Sequence, residues 1–193
     1  MGLDSILLLT EWEKYFGIDI PNPVAEKMLT VQHAVDAIAD LLNITNTNPT
    51  LRNDVFSRLQ EAISKTGASD ITVTQQDLVH TFFPNNDKQT WTALSNELGL
   101  PIPIPPRNAG NTAKNKILSK LIWIPKFNYN ELTFSKLTDA ICGMNYKKLI
   151  DPKAFVSRYE IYCAISGITQ DVIGIDIYEV EPHKTFTSDF GID

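Results

Sequence analysis

The chain has 193 residues, of which 43% are hydrophobic, and its formal net charge is −6 at pH 7. That hydrophobic content suffices for a packed core and excludes a chain that is disordered throughout. The acidic excess argues against a nucleic-acid-binding protein, because such affinity depends on Lys and Arg side chains that neutralise phosphates. Any charged partner is therefore expected to be basic.

The sequence predicts a soluble cytoplasmic protein. Cys142 and Cys163 lie in apolar helical patterns, which indicates buried thiols in a reducing compartment rather than a disulfide framework. The first residues have no basic region before their apolar run, unlike a signal peptide. The longest later apolar stretch, residues 117–124, is too short to cross a bilayer. The Cys and His spacing predicts no metal site.

The first predicted element is an amphipathic helix over residues 5–16, ended by Gly17. Its apolar side chains recur at three- and four-residue steps, at Ile6, Leu9, Trp12 and Phe16. A proline-containing segment comes next, then a short helix at 25–28 and a longer one that begins after Thr30 as its N-cap. The order is helix, loop, short helix, helix.

A polar linker over residues 43–53 precedes a second unit with the same plan. Val55, Leu59 and Ile63 form one apolar helical stripe. Trp91, Leu94 and Leu98 form another, within a helix predicted over residues 88–98. Residues 71–78 and 101–116 are predicted loops, the second one exposed. Residues 97–103 echo 15–21 and residues 132–141 echo 29–38, which favours an internal repeat of about one domain.

Asp151 and Pro152 predict the start of the final helix, with Asp as its cap and Pro at its first position. The predicted buried face of this helix consists of Phe155, Tyr159, Tyr162 and Cys163. A single amphipathic helix is marginal in water unless its apolar face packs on something. The tail and the first unit are therefore expected to complete each other.

Joined tail to head, the two ends of the chain resemble one acyl carrier protein. The tail "TFTSDFGID" stands where that family has Phe-x-x-Asp-Leu-Gly-x-Asp, just before the serine that bears phosphopantetheine. Residues 2–16 have the spacing of the helix after that serine. The stretch "GIDIPNPVAEKMLTVQHAVDAI" resembles the carrier's next loop and its third and fourth helices.

The resemblance implies an all-α fold made of acyl-carrier-like four-helix bundles. One bundle, circularly permuted, is predicted from residues 1–45 plus 152–193. A second, degenerate bundle is predicted from residues 51–150. An exchanged homodimer, in which one chain's tail completes another's head, is compatible with the same sequence.

By this resemblance, the family's serine falls on Gly2, which has no hydroxyl to hold 4′-phosphopantetheine. The middle unit also lacks an Asp-Ser pair at the corresponding place. A competing interpretation reads "GLDS" literally and attaches the cofactor to Ser5, next to Asp4. It requires a three-residue deletion, which would rotate the later apolar positions off the core face. The alternative role for Asp4 or Ser5 is to cap the first helix.

Four acidic residues flank the helix that resembles the carrier's second one. They are Glu11, Glu13, Asp19 and Glu26. The resembled family uses acidic residues there to dock basic patches of partner enzymes, whereas the nearby Lys14 and Lys27 fit a merely solvated face equally well. The three histidines, His33, His80 and His183, are predicted to have ordinary structural roles, and Trp12, Trp91 and Trp123 to lie in the core.

These patterns leave three functional hypotheses. The favoured one is a non-enzymatic carrier-like module that lacks the serine and binds protein partners in fatty-acid or polyketide-type metabolism. The second is a genuine carrier modified on Ser5, and the third is a bundle that holds a lipid chain without a covalent bond. No nucleophile, base and orienting partner can be assembled from these residues, so an enzyme is not predicted.

Overall fold

The computed structural model describes residues 2–66, 72–106 and 127–192, and these ranges are helical. Their only β-type pairings are isolated bridges, so the all-α prediction is confirmed. The helices are α1 (Leu3–Phe16), α2 (Asn22–Ala25), α3 (Val31–Leu41), α4 (Thr50–Lys65), α5 (Val79–Phe82), α6 (Lys88–Leu98), α7 (Phe134–Met144), α8 (Tyr146–Leu149) and α9 (Arg158–Ile173).

Several helix ends are explained directly by the sequence. α1 ends at Gly17, whose φ of +65° is a left-handed conformation that glycine adopts without steric cost. Thr30 caps α3, since its side-chain oxygen accepts the His33 N–H over 3.1 Å. Both predictions are confirmed. The predicted range 88–98 matches α6, which Asp87 caps through the Thr90 N–H at 2.9 Å.

The predicted start of the final helix is wrong. α9 begins at Arg158, and Ser157 is its N-cap. Residues 152–153 instead form a turn, because the Asp151 carboxylate accepts the Lys153 N–H at 2.9 Å. Asp often makes such local bonds, and they compete with helix formation.

Three smaller predictions also differ from the structure. The short helix lies at Asn22–Ala25 rather than 25–28, since Pro23 favours the first helical turn. α4 begins at Thr50, inside the predicted linker. The described part of the predicted exposed loop, 101–106, has buried side chains at Ile102, Pro103 and Pro105. Residues 107–126, which include Trp123 and the apolar stretch 117–124, lie outside the described residues, as does residue 71.

The central helix of the described fold is α9, which packs against α1, α3 and α7. α4 in turn packs against α6 and α7. One continuous cluster of buried side chains joins all these helices, and it includes Trp12 and Trp91, as predicted. Cys142 and Cys163 are buried free thiols within it, also as predicted.

The segment after α9 runs back along the start of α3. The Val31 N–H donates to the Lys184 carbonyl at 3.0 Å, and the Phe186 N–H donates to the Leu29 carbonyl at 3.2 Å. The Phe186 ring meets the Trp12 ring edge-on, with centroids 5.5 Å apart. The tail therefore closes over the core side of α1 and α3.

A corresponding arrangement occurs in the middle of the chain. Thr133 caps α7 as Thr30 caps α3, and it also forms an antiparallel bridge with Leu78. The Val79 N–H donates to the Leu132 carbonyl at 2.8 Å. Thr30 forms the matching bridge with Thr185 in the tail.

α7 and α9 approach each other closely where glycines face across the contact. A Cβ atom built on Gly167 would overlap the Tyr146 ring and the Gly143 carbonyl oxygen. A Cβ on Gly143 would lie 2.9 Å from Cδ1 of Ile177. The small residues therefore set the distance between these two helices.

Candidate functional site

The resemblance to acyl carrier proteins places a possible cofactor-attachment site at the start of α1. Gly2 occupies the N-cap position in an extended conformation, with no side-chain capping bond. The predicted capping by Asp4 or Ser5 is wrong, because both residues lie inside the first turn of a helix that begins at Leu3. The Ser5 hydroxyl donates to the Gly2 carbonyl oxygen at 2.9 Å.

An apolar group of side chains is uncovered at this end of α1. Leu3, Ile6 and Leu7 are 72%, 50% and 47% exposed, whereas the opposite face buries Leu8 and Trp12. The prediction that Ile6 faces the core is therefore wrong. Neighbouring exposed apolar side chains such as these can form part of an interaction surface.

The four acidic residues that the sequence singled out have different surroundings. Glu11 pairs with Lys14 over 3.4 Å on the exposed side of α1. Glu13 accepts the Ile20 N–H at 2.8 Å and so fixes the segment after α1. Asp19 and Glu26 are exposed. Glu13 thus has a structural contact, while the other three present carboxylates to solvent.

A cleft of about 620 Å³, here called the charged cleft, lies between α3, the start of α4, α7 and α9. At its base, the Arg52 guanidinium binds the Asp139 carboxylate through two bonds, Nε to Oδ1 at 2.7 Å and Nη2 to Oδ2 at 3.0 Å. The Tyr159 hydroxyl donates to the same Oδ1 at 2.6 Å, and its ring lies under the guanidinium carbon at 4.7 Å. Burial alone would lower the pKa of Arg52, but the charges of Asp139 and Tyr159 and their hydrogen bonds together raise it overall.

Arg158 forms a second ionic contact at the rim of the charged cleft. Its Nη1 donates to Asp36 at 2.7 Å and its Nη2 donates to Asp40 at 2.6 Å. Its Nε donates to the Ile44 carbonyl at 3.1 Å, and its backbone N–H donates to the Asn46 carbonyl at 2.8 Å. The first residue of α9 is thus tied both to α3 and to the segment after α3.

A second cleft of about 630 Å³, here called the apolar cleft, lies between α1, α8 and α9. Leu7, Tyr15, Tyr146, Pro152, Ile168 and Val172 form most of its wall. Lys147 and Asp171 pair across its rim at 2.8 Å. Neither cleft is predicted by the sequence, because their walls come from residues far apart in the chain.

Residues 2–66, 72–106 and 127–192 contain neither a metal-binding cluster nor a membrane-spanning helix. No group of three or more His, Cys, Asp and Glu side chains in these ranges could hold a metal ion. No helix there combines the length and apolar character needed to cross a membrane. The structural roles of the three histidines stay predictions.

Comparison with known proteins identifies an acyl-carrier-like segment within this chain. A stretch of 39 residues, 20% of the chain, is 49% identical to an acyl carrier protein of Picosynechococcus sp.. The match spans 48% of that protein, so the chain covers about half the length of this relative. No family model matches the chain. No solved structure matches it either.

Proposed function

We propose that this protein is a non-enzymatic, acyl-carrier-like binding module that acts through protein partners of fatty-acid or polyketide-type metabolism. In this proposal it carries no 4′-phosphopantetheine. The observation that supports it is the N-cap of α1, which is Gly2, a residue without a hydroxyl, at the position that the resemblance assigns to the family's serine. Ser5 fits the cofactor poorly, since it is half-buried inside the first helical turn and its hydroxyl already donates to the Gly2 carbonyl.

The proposal includes a permuted carrier unit, residues 1–45 plus 152–193, and a second unit, residues 51–150. Matched packing supports the repeat, because α9 contacts α1 and α3 as α4 contacts α6 and α7, while the contact between α7 and α9 joins the two proposed units in one core. α4 and α9 each have 16 residues. Gly17 and Gly99 end α1 and α6 in the same left-handed conformation, with φ values of +65° and +72°.

The proposed docking surface is the outer side of α1, formed by Leu3, Ile6, Leu7, Asp4 and Glu11. Its apolar side chains supply area that a partner can cover, and its carboxylates favour a basic patch on that partner. Exposed charges chiefly raise the association rate and select the partner, while the covered apolar residues supply most of the affinity.

The first prediction concerns covalent modification. After co-expression with a broad-specificity phosphopantetheinyl transferase, the intact mass of this protein is expected to stay unmodified, because no serine hydroxyl is presented at the N-cap of α1. Intact-mass spectrometry measures this, with an ordinary acyl carrier protein as the positive control. A mass increase that disappears in Ser5→Ala would identify a genuine carrier and overturn the proposal.

The second prediction concerns docking. The probe is a purified condensing enzyme that recognises ordinary carriers through a basic patch, and its affinity is measured by surface plasmon resonance at two salt concentrations. Ile6→Glu is expected to weaken binding at least about tenfold, as for an apolar residue at the centre of an interface. Glu11→Lys is expected to weaken it mainly at low salt.

Glu61→Lys is the matched control, since it makes the same charge change at an exposed position on α4. An equal loss of binding in Glu61→Lys would show that net charge, and not the surface of α1, governs the interaction. Absence of binding by the unmodified chain would refute this class of partner.

A further inference from the structure

We infer that docking is confined to the outer side of α1, so that each chain binds a single basic patch of a partner and the second proposed unit does not dock. This inference rests on the proposed docking function and on the two proposed units. α6 takes the place in the second unit that α1 takes in the first, yet the outer side of α6 is polar.

α1 and α6 correspond position by position when they are aligned on Gly17 and Gly99, the glycines that end them. Thr10 and Thr92 then coincide. Both hydroxyls make the same bond, since each donates to the carbonyl oxygen four residues earlier, at 2.9 Å in α1 and 2.8 Å in α6. The alignment therefore pairs residues with the same local role.

A second pair of residues supports the same alignment. Glu13 accepts the Ile20 N–H at 2.8 Å, and so fixes the segment that follows α1. Ser95, at the equivalent position of α6, donates to the Leu100 carbonyl oxygen at 2.8 Å and fixes the segment that follows α6. The bonds differ in chemistry, but each helix uses this position to hold the chain that leaves it.

The outer sides of the two helices differ at the positions proposed for docking. Ile6 and Leu7 are exposed apolar residues on α1. Their counterparts on α6 are Lys88 and Gln89, which are also exposed. Leu3 has no helical counterpart, because α6 begins at Lys88 and α1 extends about one turn further. The apolar part of the surface is therefore present on α1 alone.

Folding does not account for the apolar residues on α1. An exposed side chain stays in water and gains little of the stabilisation that burial gives. Helix formation does not require them either, since Lys and Gln have helix propensities similar to that of Leu and better than that of Ile. α6 shows that polar residues suffice at these positions. Ile6 and Leu7 are therefore assigned to contact with a partner.

The carboxylates of the docking surface are also absent from the equivalent positions of α6. Glu11 corresponds to Ala93, an exposed residue without charge. Asp4 corresponds to Asn86, which is buried and accepts the Trp91 Nε1–H at 2.6 Å. A basic patch would therefore meet acidic groups on α1 and none at the matching places of the second unit.

The test measures stoichiometry with the full-length protein and the same purified condensing enzyme. Isothermal titration calorimetry is expected to show that each chain binds one enzyme subunit. A chain with two docking surfaces would instead bind two subunits and link enzyme molecules into larger complexes, because a bivalent molecule can bridge its partners. Analytical ultracentrifugation detects such complexes.

Two matched double variants locate the surface. Ile6→Ala with Leu7→Ala is expected to weaken binding at least about tenfold, as for apolar residues at the centre of an interface. Lys88→Ala with Gln89→Ala, at the equivalent positions of α6, is expected to leave the affinity unchanged at high salt, where the loss of one charge is screened. Alanine favours helix, and circular dichroism checks that both variants keep theirs.

The outcomes separate this inference from the docking proposal. Two enzyme subunits per chain, or equal losses of affinity in the two double variants, would overturn the confinement to α1 and leave docking itself intact. Unchanged affinity in Ile6→Ala with Leu7→Ala would overturn it as well. Absence of binding by the unmodified chain would refute the docking proposal, and this inference with it.

Discussion

Gly167→Ala is expected to lower the free energy of unfolding by about 3 kcal/mol, the upper range for overpacking a core. The added methyl group would overlap the Tyr146 ring and the backbone carbonyl of Gly143, and a backbone atom cannot move without separating α7 from α9. Urea unfolding followed by circular dichroism measures the change.

Gly143→Ala is the matched control on the opposite helix. Its methyl group would meet the end of the Ile177 side chain, which can change rotamer, so a loss of only about 1 kcal/mol is expected. Equal losses in the two variants would contradict the view that the backbone contact at Gly167 limits the distance between the helices.

Asp139→Ala is expected to lower the free energy of unfolding by about 3 kcal/mol, the lower end for breaking a buried ion pair, since both partners keep some exposure. The substitution leaves the Arg52 guanidinium without a counter-charge and the Tyr159 hydroxyl without its acceptor. The side chains of Arg52 and Asp139 are only 27% and 19% exposed, so water cannot fully replace the lost partner.

Two controls separate this ionic contact from charge effects in general. Lys136→Ala breaks the more exposed Lys136–Glu181 pair and is expected to change stability by less than about 0.5 kcal/mol. The double variant Arg52→Met with Asp139→Leu is expected to recover part of the loss, because an apolar pair needs no counter-charge while the Tyr159 hydroxyl still lacks its acceptor. Chemical unfolding of all three variants checks these expectations. A double variant as unstable as Asp139→Ala would instead assign the loss to packing.

Local signals in the sequence predict the helix ends best. Thr30 and Gly17 act through their own side chain and backbone, so the chain needs no distant contact to place them. The prediction at Asp151 is wrong because the same residue type both caps helices and closes turns, and the bond to Lys153 decides between them. The prediction at Ile6 is wrong because apolar residues lie at three- and four-residue steps from Trp12 on more than one side of α1. The spacing therefore does not decide which of them faces the core.

The sites depend on a different kind of information. The resemblance to acyl carrier proteins points to the start of α1, since that segment carries its signal in consecutive residues. Arg52 and Asp139 are 87 positions apart, and neither residue has a neighbour in the sequence that indicates the pair. The apolar cleft likewise joins α1 with α8 and α9, so only the folded chain brings Tyr15 and Val172 to one wall.

The central place of α9 bears on how the protein is made. α9 leaves the ribosome after α1, α3 and α7, so the faces of these helices that pack on α9 have no cover until Ile173 has emerged. Contacts between such distant parts of a chain form slowly, and uncovered apolar faces are prone to aggregation meanwhile. We therefore expect α1 and α3 to join the core only in a late step, once α9 has been synthesised, while α4, α6 and α7 can pack together earlier.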